Sequence, residues 1–396
     1  MRRRLLTSRI TGLARPLLVG GALALSVAAL AAVWLMRDSD EAVLPAEVEN
    51  SLRLRSLEPN RWIAYHEERP RTWSRQGHAG MAFDTKRGTL LIFGSDTHGE
   101  DWDNSVHEFD PRRKRWATHQ APAGPETYRV DASGAAVAGA TSLMPWAMHT
   151  YDAVEYHPAL DALVVMSTTE HNPRDGSGAG IRRQPTWIYD LTTRHWRQFD
   201  NDGKPAPSFF GGSSAFDVRR GVLAAYRHGL WEMDATAGVW RQASPEVHHG
   251  MHNSMAYDTR RGVLFVFGDY QATNHVWTYL PGAAAGQAGA WTRHAPQGDS
   301  CPRLSSVPVA YAADQDVFVL VVDNVEPGPP PRPKASAAST YFYDPEAKTC
   351  AKLPAGDLSP VGMNYMMAWD SSHGVVFLVT GDRGGTVTVW ALKPQR

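Results

Sequence analysis

Met255-Ala256-Tyr257-Asp258, the turn Thr259-Arg260-Arg261-Gly262 and the run Val263-Leu264-Phe265-Val266-Phe267-Gly268 decide the fold of this chain. An aromatic-Asp pair ends a short strand, a glycine closes a tight turn, and an apolar strand returns. The same order occurs at Met81-Ala82-Phe83-Asp84 with Leu90-Leu91-Ile92-Phe93-Gly94. Weaker first strands end at Tyr156-His157, Phe216-Asp217, Tyr311-Ala312 and Trp369-Asp370. Third strands run through Val106 to Asp110, Trp187 to Asp190, Leu230 to Asp234, Val276 to Leu280, Tyr341 to Asp344 and Val387 to Leu392. A Trp follows six residues later in Asp110 to Trp116, Asp190 to Trp196 and Asp234 to Trp240. Trp291 follows an Ala/Gly-rich insertion, and Cys350 takes the Trp place after Asp344.

Six units of one kind imply a closed ring of sheets. The sixth stops at Trp390-Ala391-Leu392, without a fourth strand. Trp73, in Thr72-Trp73-Ser74, precedes the first unit, so residues 71–76 are expected to supply the missing strand. The fold expected is all-β: a six-bladed propeller over residues 71–394, with an N-terminal strand closing the last blade.

The pattern resembles the kelch-repeat β-propellers of the galactose oxidase type, over about residues 71–394. It does so through strand spacing and the aromatic-Asp and Trp positions; the kelch double glycine is reduced to Gly94-Ser95 and Gly268-Asp269. The resemblance implies four-stranded blades packed face to face, with the repeat-position Trp serving packing. Galactose oxidase's radical copper chemistry needs a thioether-forming Cys beside the metal. Here both cysteines, Cys301 and Cys350, fall in unit five at a structural position, so that activity is not carried over. A disulfide between them is expected instead.

Ahead of the ring, Arg2, Arg3, Arg4, Arg9 and Arg15 precede an uncharged run from Pro16 to Met36. As a helix that run spans about 32 Å, enough for a bilayer core of about 30 Å. Residues 1–37 are therefore read as a basic cytoplasmic stub and transmembrane signal-anchor, and 38–70 as a tether. Ala29-Leu30-Ala31 resembles a processing site, but Val33-Trp34-Leu35-Met36 extends the run past it. This places the chain in the inner or cytoplasmic membrane, single-pass, with the propeller on the periplasmic or extracellular side.

The chain has 40 basic and 41 acidic residues. Six of the basic ones and none of the acids lie in 1–37, which leaves the remainder at −7. No charge excess is available for phosphate neutralisation, so a nucleic-acid partner is not expected.

Loop lengths select one face. Turns inside strand pairs one–two and three–four are short. The blade-to-blade links, including Ala117 to Ala147, and the second-to-third-strand loops, including Ser167 to Pro185 and Asp323 to Ser339, are long and gather on the other face. Counting six back from the aromatic-Asp register gives His78, Tyr151, Gly211, His252, Ser306 and Asn364, a polar ring at the mouth. Two before the register stand Ala82, Glu155, Ala215, Ala256, Ala310 and Ala368, lining a throat. His149, His248, His249, Arg303 and Arg227, the last held in the hairpin Tyr226 to Gly229, are expected nearby.

Two functions fit such a mouth. One is binding of carbohydrate or a partner protein, with Trp102, Trp146 and Tyr270 as stacking surfaces and His249, Arg303 and Asn364 as polar contacts. The other is a polysaccharide lyase acting on a uronic-acid glycan: His78 or His149 as base, Tyr151 as acid, Arg227 on the carboxylate, with His252 beside them. Catalysis itself stays open at this level, with a lyase favoured over a copper oxidase. No short motif fixes a ligand geometry among His78, His149, His249 and His252, so neither a metal nor a cofactor is assigned.

Overall fold

Four antiparallel strands make one blade because each is too short to bury its own face and must pair and then stack. In the computed structural model, described for residues 45–68, 77–140, 143–174, 180–199, 201–204, 206–295, 301–324, 335, 337–354, 356, 358–381 and 386–396, six four-stranded sheets form a β-propeller. The innermost strands are Gly80–Asp84, Val154–His157, Ser213–Asp217, Ser254–Asp258, Val309–Ala312 and Met367–Asp370. The segment 1–37, expected as an anchor, lies outside the described residues. Among the described ones no helix is long and apolar enough to cross a membrane.

The aromatic-Asp signature caps a hairpin. Asp84 Oδ1 accepts the N–H groups of Lys86 and Arg87 (2.9 and 3.0 Å), and Asp258 Oδ1 those of Arg260 and Arg261 (2.8 and 2.9 Å). The turns end in Gly88 and Gly262 at φ 70° and 72°, a region that glycine enters without steric cost. The arginine of each turn then reaches the next blade. Arg87 donates twice to Asp161 (2.6 and 2.9 Å) and Arg261 twice to Asp316 (2.6 and 2.9 Å). These bidentate pairs hold both carboxyls below the usual carboxylate range.

Six apolar clusters fill the six blade interfaces. Leu91, Phe93, Tyr156 and Leu163 pack blade one on two, for example, and Phe265, Phe267, Phe318 and Tyr343 pack four on five. Cys301 and Cys350, 49 positions apart in sequence, are joined by a disulfide with Cα atoms 4.8 Å apart. Closing a loop of that length is worth about 4 kcal/mol in the chain-entropy account.

Ring closure differs from expectation in its residues. The stretch 71–76, with Trp73, lies outside the described residues, and the strand completing blade six is Trp62–Glu68, paired with Val387–Leu392. Trp62 stands opposite Leu392 as Trp116 stands opposite Phe109 and Trp240 opposite Met233, so it is the sixth repeat-position residue. The reason is reach. An outermost strand must return across three spacings of about 4.8 Å to the axis, and a strand ending at Glu68 leaves eleven residues before Gly80 to do it. Ahead of the strand, the helix Ala46–Arg55 seats Leu54 against the interface of blades six and one.

Candidate functional site

Two or three residues ahead of five inner strands stands a residue in the left-handed region: His78 (φ 62°), Tyr151 (49°), Gly211 (63°), His252 (64°) and Ser306 (55°). For the non-glycine members this costs of order 1 kcal/mol each, and such strain gathers at functional sites. A backbone girdle imposes it. Tyr151 N–H donates to the His78 carbonyl (2.8 Å), His252 N–H to Gly211 (2.7 Å), Ser306 N–H to His252 (3.3 Å) and His78 N–H to Met363 (3.0 Å). The sixth ring position, Asn364, is spent on structure: it is buried, donates to the Val379 carbonyl (2.7 Å) and accepts from Met366 N–H (2.8 Å).

The girdle turns aromatic and imidazole side chains into one cluster. The rings of His78 and His149 stack 4.2 Å apart at 13°, and His98 meets His149 edge-on at 4.6 Å. Tyr151 lies 5.5 Å from His78 and 4.9 Å from His252. His149 Nδ1 sits 3.2 Å from the Tyr151 hydroxyl and its Nε2 3.1 Å from Thr97 Oγ1. His252 Nδ1 lies 3.1 Å from Ser306 Oγ, with Tyr270 5.4 Å away. Arg227 closes the arc, its Nε donating to the Phe210 carbonyl at 3.0 Å. His78, His149, Tyr151, Arg227 and His252 are thus brought to one mouth.

Burial sets the fully enclosed His149 apart from the groups nearer the opening. His149 is fully buried, Tyr151 3% and His252 5% exposed, while His78 and Arg227 are half-buried. His149 therefore positions Tyr151 rather than meeting a ligand itself. Below the ring, Tyr151, Phe210 and Tyr365, with Met251, form an apolar plug across the axis.

Electrostatics keep the buried imidazoles neutral. Burial, then the neighbours His78, His98, His171 and His252, push His149 down to about 2. Burial, His78 and Arg227 push His252 down to about 4, against the opposing pull of Asp269. Burial likewise takes His249 to about 4. A depressed histidine favours the fold fully above its unfolded value near 6.5, and that contribution is lost as pH falls, because only the unfolded chain takes up the proton. The free energy of unfolding is therefore expected to drop between pH 6.5 and 4, at up to about 1.4 kcal/mol per pH unit for each of the three. Urea titrations across that range check this. A flat stability profile would count against the buried neutral histidines.

Other expected contacts are placed differently. Trp146 is 2% exposed, donates to the Val137 carbonyl (2.9 Å) and is stacked under Tyr128 at 4.7 Å, so it offers no face to a ligand. The insertion Ala117–Ala147 folds back over it through the hairpin Arg129–Val130 and Ala136–Val137. Trp102 stays half-buried at the surface beside Tyr128 and Arg174. Tyr270 is 54% exposed. His249 is buried, and Arg303 is committed to the Ala272 carbonyl (3.0 and 2.6 Å).

Residues that the repeat did not reveal complete the site. Asp96 lies 3.4 Å from His78 Nδ1, and ligand atoms of His78, Asp96 and His149 fall within 4.8 Å of one another. Two imidazoles and a carboxylate offer a donor set suited to a divalent ion. His98, Glu170 and His171 come from the second-to-third-strand loops of blades one and two, which carry no period. The signal available was position: Asp96 follows the Gly94-Ser95 remnant as Asp269 follows Gly268.

No family model and no curated protein matches the chain. Solved structures do match. One is a structural-genomics protein of unknown function from Bacteroides thetaiotaomicron VPI-5482, 9% identical, with 81% of this chain and 70% of that one covered at a TM-score of 0.46. The propeller rests on its own six sheets.

Proposed function

We propose that this six-bladed propeller binds an acidic carbohydrate at its long-loop mouth, as a kelch-like ring held outside a membrane by residues 1–37. The observation that carries the reading is Arg227. Its Nε is anchored, while among the described residues no hydrogen bond or ion pair engages its terminal nitrogens. Burial lowers its pKa, as expected of a guanidinium partly stripped of water and ready for a carboxylate. Around it stand the half-buried imidazole of His78 and the exposed ring of Tyr270, a surface for hydroxyls and sugar faces. Trp102 extends the same face.

The second reading, a uronate lyase, draws on the contact between Tyr151 and His149. In that chemistry a base removes the proton beside the carboxylate, Arg227 stabilises the enolate-like charge, and the tyrosine protonates the departing glycosidic oxygen. His78, half-buried above His149, is the imidazole with access to substrate. One experiment separates the two. Full-length protein is incubated with soluble polyuronates while binding and the absorbance of a new double bond are both followed. Binding without absorbance supports the first reading. Absorbance that vanishes in Tyr151→Phe moves the function to the lyase, and absence of both on every polyuronate removes the acidic-carbohydrate proposal.

A further inference from the structure

Beneath the plug lies a second space, unrelated to the mouth. A cavity of about 440 Å³ runs along the axis between the inner strands. The plug residues Tyr151, Phe210 and Tyr365 close it toward the long loops. At the opposite end its lining reaches the short-turn residues Thr85, Pro158, Val218, Thr259, Ala313 and Ser371, so it opens on the face away from the imidazoles.

The lining is mostly apolar. Ala82, Ala215, Ala256, Ala310 and Ala368 occupy the same register in five blades, with Phe216 and Trp369 half-buried near the opening. Blade two breaks the pattern: Glu155 stands where the other five have alanine. Asp152, on the same blade, spans from blade two to blade four and accepts the Met255 N–H at 2.7 Å. Glu155 accepts the Tyr156 N–H at 3.0 Å. Among the described residues no other hydrogen bond and no ion pair reaches either carboxyl, and no Lys, Arg or His lines the cavity. Asp152 and Glu155 are each half-buried on the channel lining.

Two half-buried carboxyls on a mostly apolar wall, with no cation beside them, are costly. An alanine at 155 would avoid that cost, as five blades show. We propose that the central channel is a second binding site, opening on the short-turn face, that takes a small aliphatic ammonium ion with its charged end at Glu155 and Asp152. The volume suits a small organic molecule, and the alanine and aromatic walls suit a carbon chain. A metal ion held by these two carboxyls would have to keep the rest of its shell as water, which the mostly apolar walls do not favour. Glu155 lies three residues inside Pro158, about 10 Å at strand rise. That is deeper than the four carbons of a lysine side chain reach, which favours a free amine over a protein lysine.

Ionisation supports the same picture. Burial raises Glu155 to about 8 and lifts Asp152 as well, with Glu155 adding to it. A bound ammonium selects the charged carboxylate, so affinity rises with pH through about 8. The other titratable groups lining the channel are Tyr156, Tyr257 and Tyr311, all raised by burial and protonated throughout that range.

The test is calorimetry on the full-length chain with 1,6-diaminohexane, using hexane-1,6-diol as the neutral isostere. The diamine should bind, more tightly at pH 8.5 than at pH 6.5, and the diol should not. Glu155→Ala restores the residue of the other five blades and keeps the ring intact; it should weaken diamine binding at least tenfold, as should Glu155→Gln. A diamine that fails to bind, binds no better than the diol, or binds both variants as it binds the parent overturns the proposal.

Discussion

Replacing Arg227 with alanine is expected to weaken binding of a soluble polyuronate about 30-fold or more. The guanidinium sits in a hairpin between Tyr226 and Gly229, where Arg227 N–H also meets the Gly229 carbonyl at 3.2 Å. Its direction is therefore partly set before a ligand arrives, which lowers the ordering cost of binding. Truncating one partner of a desolvated charge pair costs 2–5 kcal/mol or so, and about 1.4 kcal/mol is tenfold in affinity. Arg227→Lys keeps the charge but loses the forked geometry and should fall between. Folding should hardly change, since the variant gives up one side-chain hydrogen bond to Phe210, worth about 1 kcal/mol. Titration calorimetry paired with urea unfolding reads both effects. Unchanged affinity in Arg227→Ala would remove this residue from the site.

Gly94→Ala is expected to cause the largest loss of stability. At φ 115° the glycine lies where an L side chain is strained, and a Cβ there would overlap Thr150 Oγ1 and crowd the Ala79 backbone. Thr150 cannot move aside cheaply. Its hydroxyl donates to the Phe93 carbonyl (2.8 Å) and accepts the Gly80 N–H (3.0 Å), tying blade one to the start of blade two. Losing those bonds while adding strain should cost about 3 kcal/mol or more. The unfolding midpoint should drop accordingly, and polyuronate affinity should fall with it, because His149 and Tyr151 flank Thr150. Gly88→Ala makes the control: it has the same sign of φ but meets no atom within 4 Å, so it should cost far less.

Gly94 also shows what was readable from residues alone. As a remnant of a double glycine it marked the end of a second strand, and that strand is Thr89–Phe93. The aromatic-Asp pairs placed the hairpins because each Asp satisfies two turn N–H groups, a local rule that repeats wherever the turn does. The polar ring followed from counting, since equivalent strands begin at equivalent heights.

What did not follow is equally physical. Trp62 rather than Trp73 completes the repeat, because the chain needs length to return from rim to axis. Asp96, His98, Glu170 and His171 reach the mouth on loops of unequal length, whose paths depend on tertiary contact rather than period. Trp146 looked available because it stood outside the repeat, yet Tyr128 of the same insertion covers it. Glu155 was visible as the odd residue in a ring of alanines; its consequence needed the channel around it.

The claim on which the functional account turns is that the ligand face is the long-loop mouth. Hydrogen exchange of the full-length chain with and without saturating polyuronate measures this directly. Protection confined to 77–80, 95–99, 149–152, 226–229 and 250–253 is the expected result. Protection at the short-turn hairpins 84–88, 217–221 and 258–262 instead, or none anywhere at saturation, would contradict it.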